Sequence, residues 1–262
     1  MLFASFVVVS RAGFATALAL PDIAALRFGI SGLLLAPILV RHGLAVLGGL
    51  GFALSAYAGF SLAPAAHGAV LIHGTLALTT AFLIWAGGGG LPGKARRAGL
   101  AIIVSGIGAM AWDGLSGASA SLLAGDACLL LASLCWSGYG LYVRRLGLPA
   151  VHAAALVAAI SALLFLPAYA LLPGKMLWAA QWQDILLQGA FQGVLIGALS
   201  IFVYTRAVAL LGASEVSVFT ATVPVITVVA AFFLLAEVPT AATLAGVALV
   251  TGGMLIALRS PR

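Results

Sequence analysis

Charge is what this sequence has least of. Lys, Arg, Asp and Glu make up only 7% of its 262 residues, against about 25% in a soluble domain, so no stretch is polar enough to form a separate water-soluble unit. Acidic residues are scarcest, six Asp and Glu against twelve Lys and Arg. The resulting charge of +6 does not point to nucleic acid, because the cations stand singly or in pairs at the ends of apolar runs and form no continuous basic face. Cysteine is nearly absent. Cys128 and Cys135 share one face of one apolar run, cannot bridge each other and read as small packing residues. HExxH, CxxC, GxSxG and GxxxxGKS/T do not occur, and the glycine run at 87–90 reads as loop. Neither a catalytic centre nor a metal or cofactor site is therefore expected.

What the sequence has is hydrophobicity, 64% of residues, spread from end to end. Alternating segments of a transmembrane β-barrel are missing. Punctuation by Pro, Gly and charge instead divides the chain into ten apolar segments, roughly 1–18, 22–40, 44–63, 65–86, 97–112, 121–143, 150–172, 184–211, 214–236 and 240–258. Most reach the ~20 residues that cross a bilayer. The opening "MLFASFVVVSRAG" reads as part of a first helix rather than as a cleavable signal. The expectation is an all-α membrane protein of ten transmembrane helices, placed in the cell's inner (plasma) membrane.

Cations near membrane ends favour the cytoplasm. With both termini cytoplasmic, that side holds Arg41, Lys94, Arg96, Arg97, Arg144, Arg145, Arg259 and Arg262, while the opposite side keeps Lys175 with Asp22, Asp113, Asp126, Asp184 and Glu237. The reverse orientation would put the eight cations outside.

The sequence also repeats itself. "LPGKARRAGLAI" at residue 91 returns as "VPTAATLAGVAL" at residue 238, and one constant offset pairs Tyr57 with Tyr204, Thr75 with Thr222, Thr80 with Thr227 and Pro92 with Pro239. Near the start of each half, Phe3, Phe6 and Arg11 match Trp136, Tyr139 and Arg144. Residues 1–115 and 120–262 are therefore expected to be two five-helix repeats. Five is odd, so the second copy enters the membrane inverted. A connection that carries Lys94, Arg96 and Arg97 inside has a twin outside, where Ala241, Thr243 and Leu244 replace them. Inverted repeats suit alternating access to a midplane site, as in secondary transporters.

At "FASFVVVSR" with "AALRF" at 24–28, "CWSGYGLYVRR" at 135–145 and "VPVITVVAAFFLLAEVPTAATLAGVALVTGGMLI" at 223–256, the chain resembles the EamA-type, ten-helix members of the drug/metabolite transporter superfamily. Pro224, Glu237 and Gly246 carry the most specific part of the match. The resemblance implies two inverted five-helix repeats around a central cavity, and export or exchange of amino acids, metabolites or drugs. It extends to the branch of aromatic amino acid exporters of the YddG type. Members usually have more residues before the first-helix aromatic, so helix 1 is expected to be truncated, and Ala77 and Gly90 stand at the first-half counterparts of Pro224 and Glu237.

Polar and aromatic side chains within spans are the candidate substrate contacts. His73 shares a face of the fourth span with Ala77 and Thr80, and the ninth span presents Thr220, Pro224 and Thr227 at the equivalent face; cavity lining or a packing histidine are the two readings. His67, at the helix end, reads as interfacial. Trp136 and Tyr139 match Phe3 and Phe6, as cavity clamps or as membrane-belt anchors. Tyr57 and Tyr204 sit at equivalent points, as gate or as core. Arg27 reads as an element of the outer rim, with attraction of substrate carboxylates as the rival; a central Arg costs about 2.5–3.5 kcal/mol on insertion scales. Arg206 reads as snorkelling, and Glu215 as opening a helix whose dipole favours it.

Every Asp and Glu falls at or near a span end, leaving His73 as the one obvious proton relay. The expected function is a uniporter or exchanger of neutral or zwitterionic metabolites such as amino acids, working in the lipid bilayer without nucleic acid, and sufficient as a monomer. An intramembrane enzyme or a non-transporting assembly subunit are the alternatives.

Overall fold

The computed structural model describes residues 2–35, 47–117, 119–146, 150–200, 203 and 220–259. Among them are ten helical segments and no strand. These are α1 (Leu2–Gly13), α2 (Leu20–Leu35), α3 (47–62), α4 (Ala65–Ala86), α5 (Lys94–Ser116), α6 (Ala120–Leu146), α7 (Ala150–Leu171), α8 (182–199), α9 (Val223–Leu235) and α10 (Ala241–Arg259). Within them, Ala65–Ala86, Ala120–Tyr142, Ala154–Leu171 and Ala241–Leu258 are long and apolar enough to cross a membrane. The outer faces carry large apolar side chains such as Leu163, Phe233 and Leu234, each more than two-thirds exposed. Such a surface belongs in hydrocarbon rather than water.

Local chemistry sets the breaks. Pro64 forces Ala63 into an extended conformation (φ −126°, ψ 152°) and ends α3; α4 then starts at Ala65. The Asp22 carboxylate accepts a hydrogen bond from the Ala19 N–H (2.9 Å) at the start of α2, where Pro21 also sits. At the end of α9, Ala236 is left-handed (φ 52°) and the Glu237 N–H donates back to the Ala231 carbonyl at 3.2 Å. The left-handed residue and this backward bond end the helix and fix where the Glu237 side chain emerges.

Small residues fix the helix spacing. Gly99 of α5 lies against Gly253 and Ala257 of α10, and Gly106 lies against Gly246, so closely that a Cβ on Gly99 or Gly253 would come within 2.7 Å of the opposite backbone. α3 packs on α6 where Gly59 meets Leu129 and Gly125 meets Ala63. α2 lies between α7 and α8, with Gly32 against Ala162 and Gly193 against Ile30. Without water to drive association, such close backbone contact is what holds helices together in lipid.

Three helices depart from regular α geometry. Residues Leu47–Gly51, Ala69–Gly74 and Gly189–Leu199 form π-helical turns in α3, α4 and α8. The wider i→i+5 turn rotates every side chain beyond it.

Candidate functional site

The three π-helical stretches converge on one cavity. Gly49, Ile72, His73, Ile196 and Gly197 all line it, in keeping with the frequent occurrence of such turns at functional sites. α1 adds Phe3 and Phe6, α2 adds Arg27, Phe28 and Ser31, and α6 adds Trp136 and Tyr139. α7 adds Ala154, Val157 and Ala158, and Phe52, Leu76 and Ser200 also line it. The cavity holds ≈ 60 Å³, room for several waters at about 10–15 Å³ each.

Its chemistry is aromatic with a few polar points. Trp136 lies 4.9 Å from Phe52 and 5.6 Å from Tyr139 between ring centroids, and Phe6 lies 6.0 Å from Phe52. The four rings form a continuous band. The Arg27 guanidinium sits over two of them, 5.2 Å from Phe6 and 5.9 Å from Phe52, within cation–π range. His73 is buried, its ring 5.0 Å from Phe3. Arg27 Nη1 and His73 Nδ1 are both shielded from solvent and lack a hydrogen-bond partner.

The opposite end of the same helices is closed by polar contacts. Arg11 Nε donates to Glu237 Oε1 at 3.0 Å, and Arg11 Nη1 donates to the Phe60 carbonyl at 2.9 Å. The Ala65 N–H donates to Glu237 Oε2 at 2.7 Å, so one carboxylate both pairs with Arg11 and caps α4. His67 Nδ1 is 2.7 Å from Asp126 Oδ1. Asp22 accepts from the Tyr169 hydroxyl at 2.6 Å and from the Met176 N–H at 3.0 Å. Beneath these contacts, Phe6 packs edge-on to Phe60 at 5.5 Å and Phe14 edge-on to Tyr57 at 6.4 Å.

Of the residues singled out in the sequence, Phe6, His73, Trp136 and Tyr139 line the cavity. Tyr57 does not; it is fully buried and donates its hydroxyl to Gln192 Oε1 at 3.1 Å. Thr80 faces α6, its hydroxyl 3.1 Å from Ser137 Oγ in a seam with Thr75, Thr79 and Ser133. Thr220 is not among the described lining residues. Tyr204, Arg206 and Glu215 lie outside the described residues.

Two expectations need correction. His67 is not interfacial but 2% exposed and bonded to Asp126. Arg27 is not part of the rim but of the cavity wall. α2 begins at Leu20 rather than 22, which sets Arg27 about two turns deep. Phe52 was not singled out at all. Its signal was weak, because the residue at the matching position of the second half is Leu199 and the aromatic pairing is lost. Cys128 and Cys135 are both free, and no cluster of metal-binding side chains exists among the described residues.

The sequence model of the EamA-like transporter family matches residues 123–259, just over half of the chain. Among solved structures, one crystal structure of a protein superposes with a TM-score of 0.60 at 18% identity, covering 98% of this chain and 95% of that one. That likeness concerns the fold alone. No curated protein matches.

Proposed function

The chain belongs to the EamA-like transporter family, membrane transporters of small molecules, and from that premise we propose a secondary transporter, a uniporter or exchanger, that moves small organic metabolites such as amino acids by alternating access. The two units are the inverted five-helix repeats 1–115 and 120–262. The observation that carries this reading is a cavity walled by both units and locked at one end by bonds between them. Arg11–Glu237, His67–Asp126 and Asp22–Tyr169 each join a residue before 115 to one after 120.

The contacts support the inverted pairing independently. The sequence offset matches Gly99 with Gly246 and Gly106 with Gly253. The close approaches are Gly99 to Gly253 and Gly106 to Gly246. Exchanging the two halves therefore turns each contact into the other, as a two-fold axis between α5 and α10 requires.

The closed end is the extracellular one, and the cavity belongs to the cytoplasmic half. This follows from the cation distribution, because α1 and α3 begin at the cavity while the loop bearing Glu237 lies at the lock. No acidic side chain is among the described lining residues, which favours uniport or exchange over proton drive. A branch assignment to aromatic amino acid exporters fits the band of Phe6, Phe52, Trp136 and Tyr139.

The test is two-sided labelling. Cys128 and Cys135 are first replaced by alanine, and Tyr139→Cys or His73→Cys is introduced. Membrane-impermeant maleimide is then applied to right-side-out and inside-out vesicles. Alternating access predicts labelling of one position from both sides, at different rates. Labelling from a single side in every condition would overturn the transporter reading.

A further inference from the structure

The cavity contains a cation that no described residue of its wall neutralises. Arg27 is half-buried at the level of the aromatic band. Among the described residues its charge has no carboxylate within salt-bridge distance, the carboxylates of Glu237 and Asp126 being engaged by Arg11 and His67. Its neighbours are the faces of Phe6 and Phe52 and the Tyr57 hydroxyl, which hydrogen-bonds the guanidinium but supplies no carboxylate. Ring faces hold the plane of a guanidinium in place without cancelling its charge. Nη1 is excluded from solvent and makes no hydrogen bond. A buried donor left unsatisfied is costly, and a charged one more so. The chemistry that completes such a group is an anionic oxygen pair in the plane of the fork.

The remainder of the wall limits what else that anion carries. It is lined by Phe52, Ile72, Leu76, Trp136 and Val157, with small polar points at Ser31 and Ser200. One cation matches one negative charge. A phosphate dianion would leave a charge uncompensated in an apolar chamber, and a cationic solute would face repulsion from Arg27 with no carboxylate among the described lining residues to offset it. Amino acid zwitterions fit. Their carboxylate meets the guanidinium, and their ammonium meets ring faces and the unpartnered His73 Nδ1.

Resting on the transporter reading, we propose that Arg27 is the anion anchor of this cavity and that the solute is a monocarboxylate with an apolar body, amino acid zwitterions included. Specificity then follows from the acid group first and from the aromatic band second.

Matched probes test this on the purified full-length protein by thermal shift, since a solute that binds the folded state raises its melting temperature. L-leucine, L-phenylalanine and the amide of each are compared, acid and amide differing in charge at one group. At least one acid is expected to raise the wild-type melting temperature, with its amide giving no shift at equal concentration. Arg27→Gln should weaken acid binding by about ten- to hundredfold, the worth of a hydrogen-bonded charge. Arg27→Lys should retain part of it, since it keeps the charge but not the fork. Arg97→Gln removes an exposed cation outside the cavity and should leave the shift intact.

A purely packing role for Arg27 predicts no difference between acid and amide on the wild type, a comparison that needs no variant to fold. An amide that works as well as its acid, an acid shift that survives Arg27→Gln, or no shift from either acid would overturn the proposal. Two-sided labelling would still report alternating access in each of those cases, so the two readings fail separately.

Discussion

Tyr57 has no exposed surface, and its hydroxyl begins a chain of bonds across the molecule. It donates to Gln192, and Gln192 Nε2 donates in turn to Ser10 Oγ at 2.7 Å. This makes Tyr57 a tie between α3, α8 and α1 rather than a solute contact. Tyr57→Phe keeps the ring and leaves the Gln192 oxygen unmatched, so it should cost about 1 kcal/mol. Tyr57→Ala also opens a void against Phe6 and should cost about 3–5 kcal/mol. Both are measured as loss of stability in thermal or chemical melts of the purified protein. A Tyr57→Phe protein with unchanged stability but impaired transport would restore the gate reading. Pairing of the two halves drew attention to Trp136, Tyr139 and Phe6, because aromatic matches in constant register are conspicuous in so apolar a sequence. That pairing does not reach Phe52, whose partner position holds Leu199. Nor does it reach Arg27, since the burial of a guanidinium depends on where its helix begins.

At the scale of elements, breaks and close contacts were legible, and the turns between them were not. Pro64 ends α3 where the backbone must leave helical geometry, and the small residues Gly99, Gly106, Gly246 and Gly253 stand at the α5–α10 contact. The neighbouring pair Gly252 and Gly253 separates packing from propensity. A Cβ at Gly253 would meet the Gly99 carbonyl at 2.7 Å, whereas a Cβ at Gly252 meets nothing within 4 Å. Gly253→Ala should push α10 off α5 and cost about 1–3 kcal/mol. Gly252→Ala should instead gain up to about 1 kcal/mol of helix propensity. Equal melting temperatures for the two variants would mean that α5 and α10 are not held in this contact. The π-helical turns had no such marker. Neither Pro nor charge announces Ala69–Gly74, yet that turn changes the register between His73 and the residues after it. A 3.6-residue period puts Thr80 on the His73 face; in the structure His73 lines the cavity and Thr80 bonds Ser137.

At the scale of the whole molecule, the two ends of the bundle should respond in opposite directions. Glu237 belongs to the second half, yet its carboxylate holds Arg11 and the first N–H of α4, both in the first. The left-handed Ala236 aims it there. The Arg11 and Glu237 side chains are 29% and 22% exposed, so the ion pair is worth about 0.2–1 kcal/mol and the cap about 1 kcal/mol. Glu237→Ala removes both, and one to two kcal/mol is roughly a 5–30-fold change in an equilibrium. If the lock balances two states, the variant shifts population toward the state open at the Glu237 end. A cysteine at Ser10, fully buried behind the lock, should then be labelled faster from the extracellular side. A cysteine at Tyr139, in the cavity, should be labelled more slowly from the cytoplasmic side. Glu237→Gln keeps an oxygen for the Ala65 N–H and should move both rates less. General loosening of the bundle would raise both rates together, and a rigid molecule would change neither. Only exchange between two closed ends raises one while lowering the other.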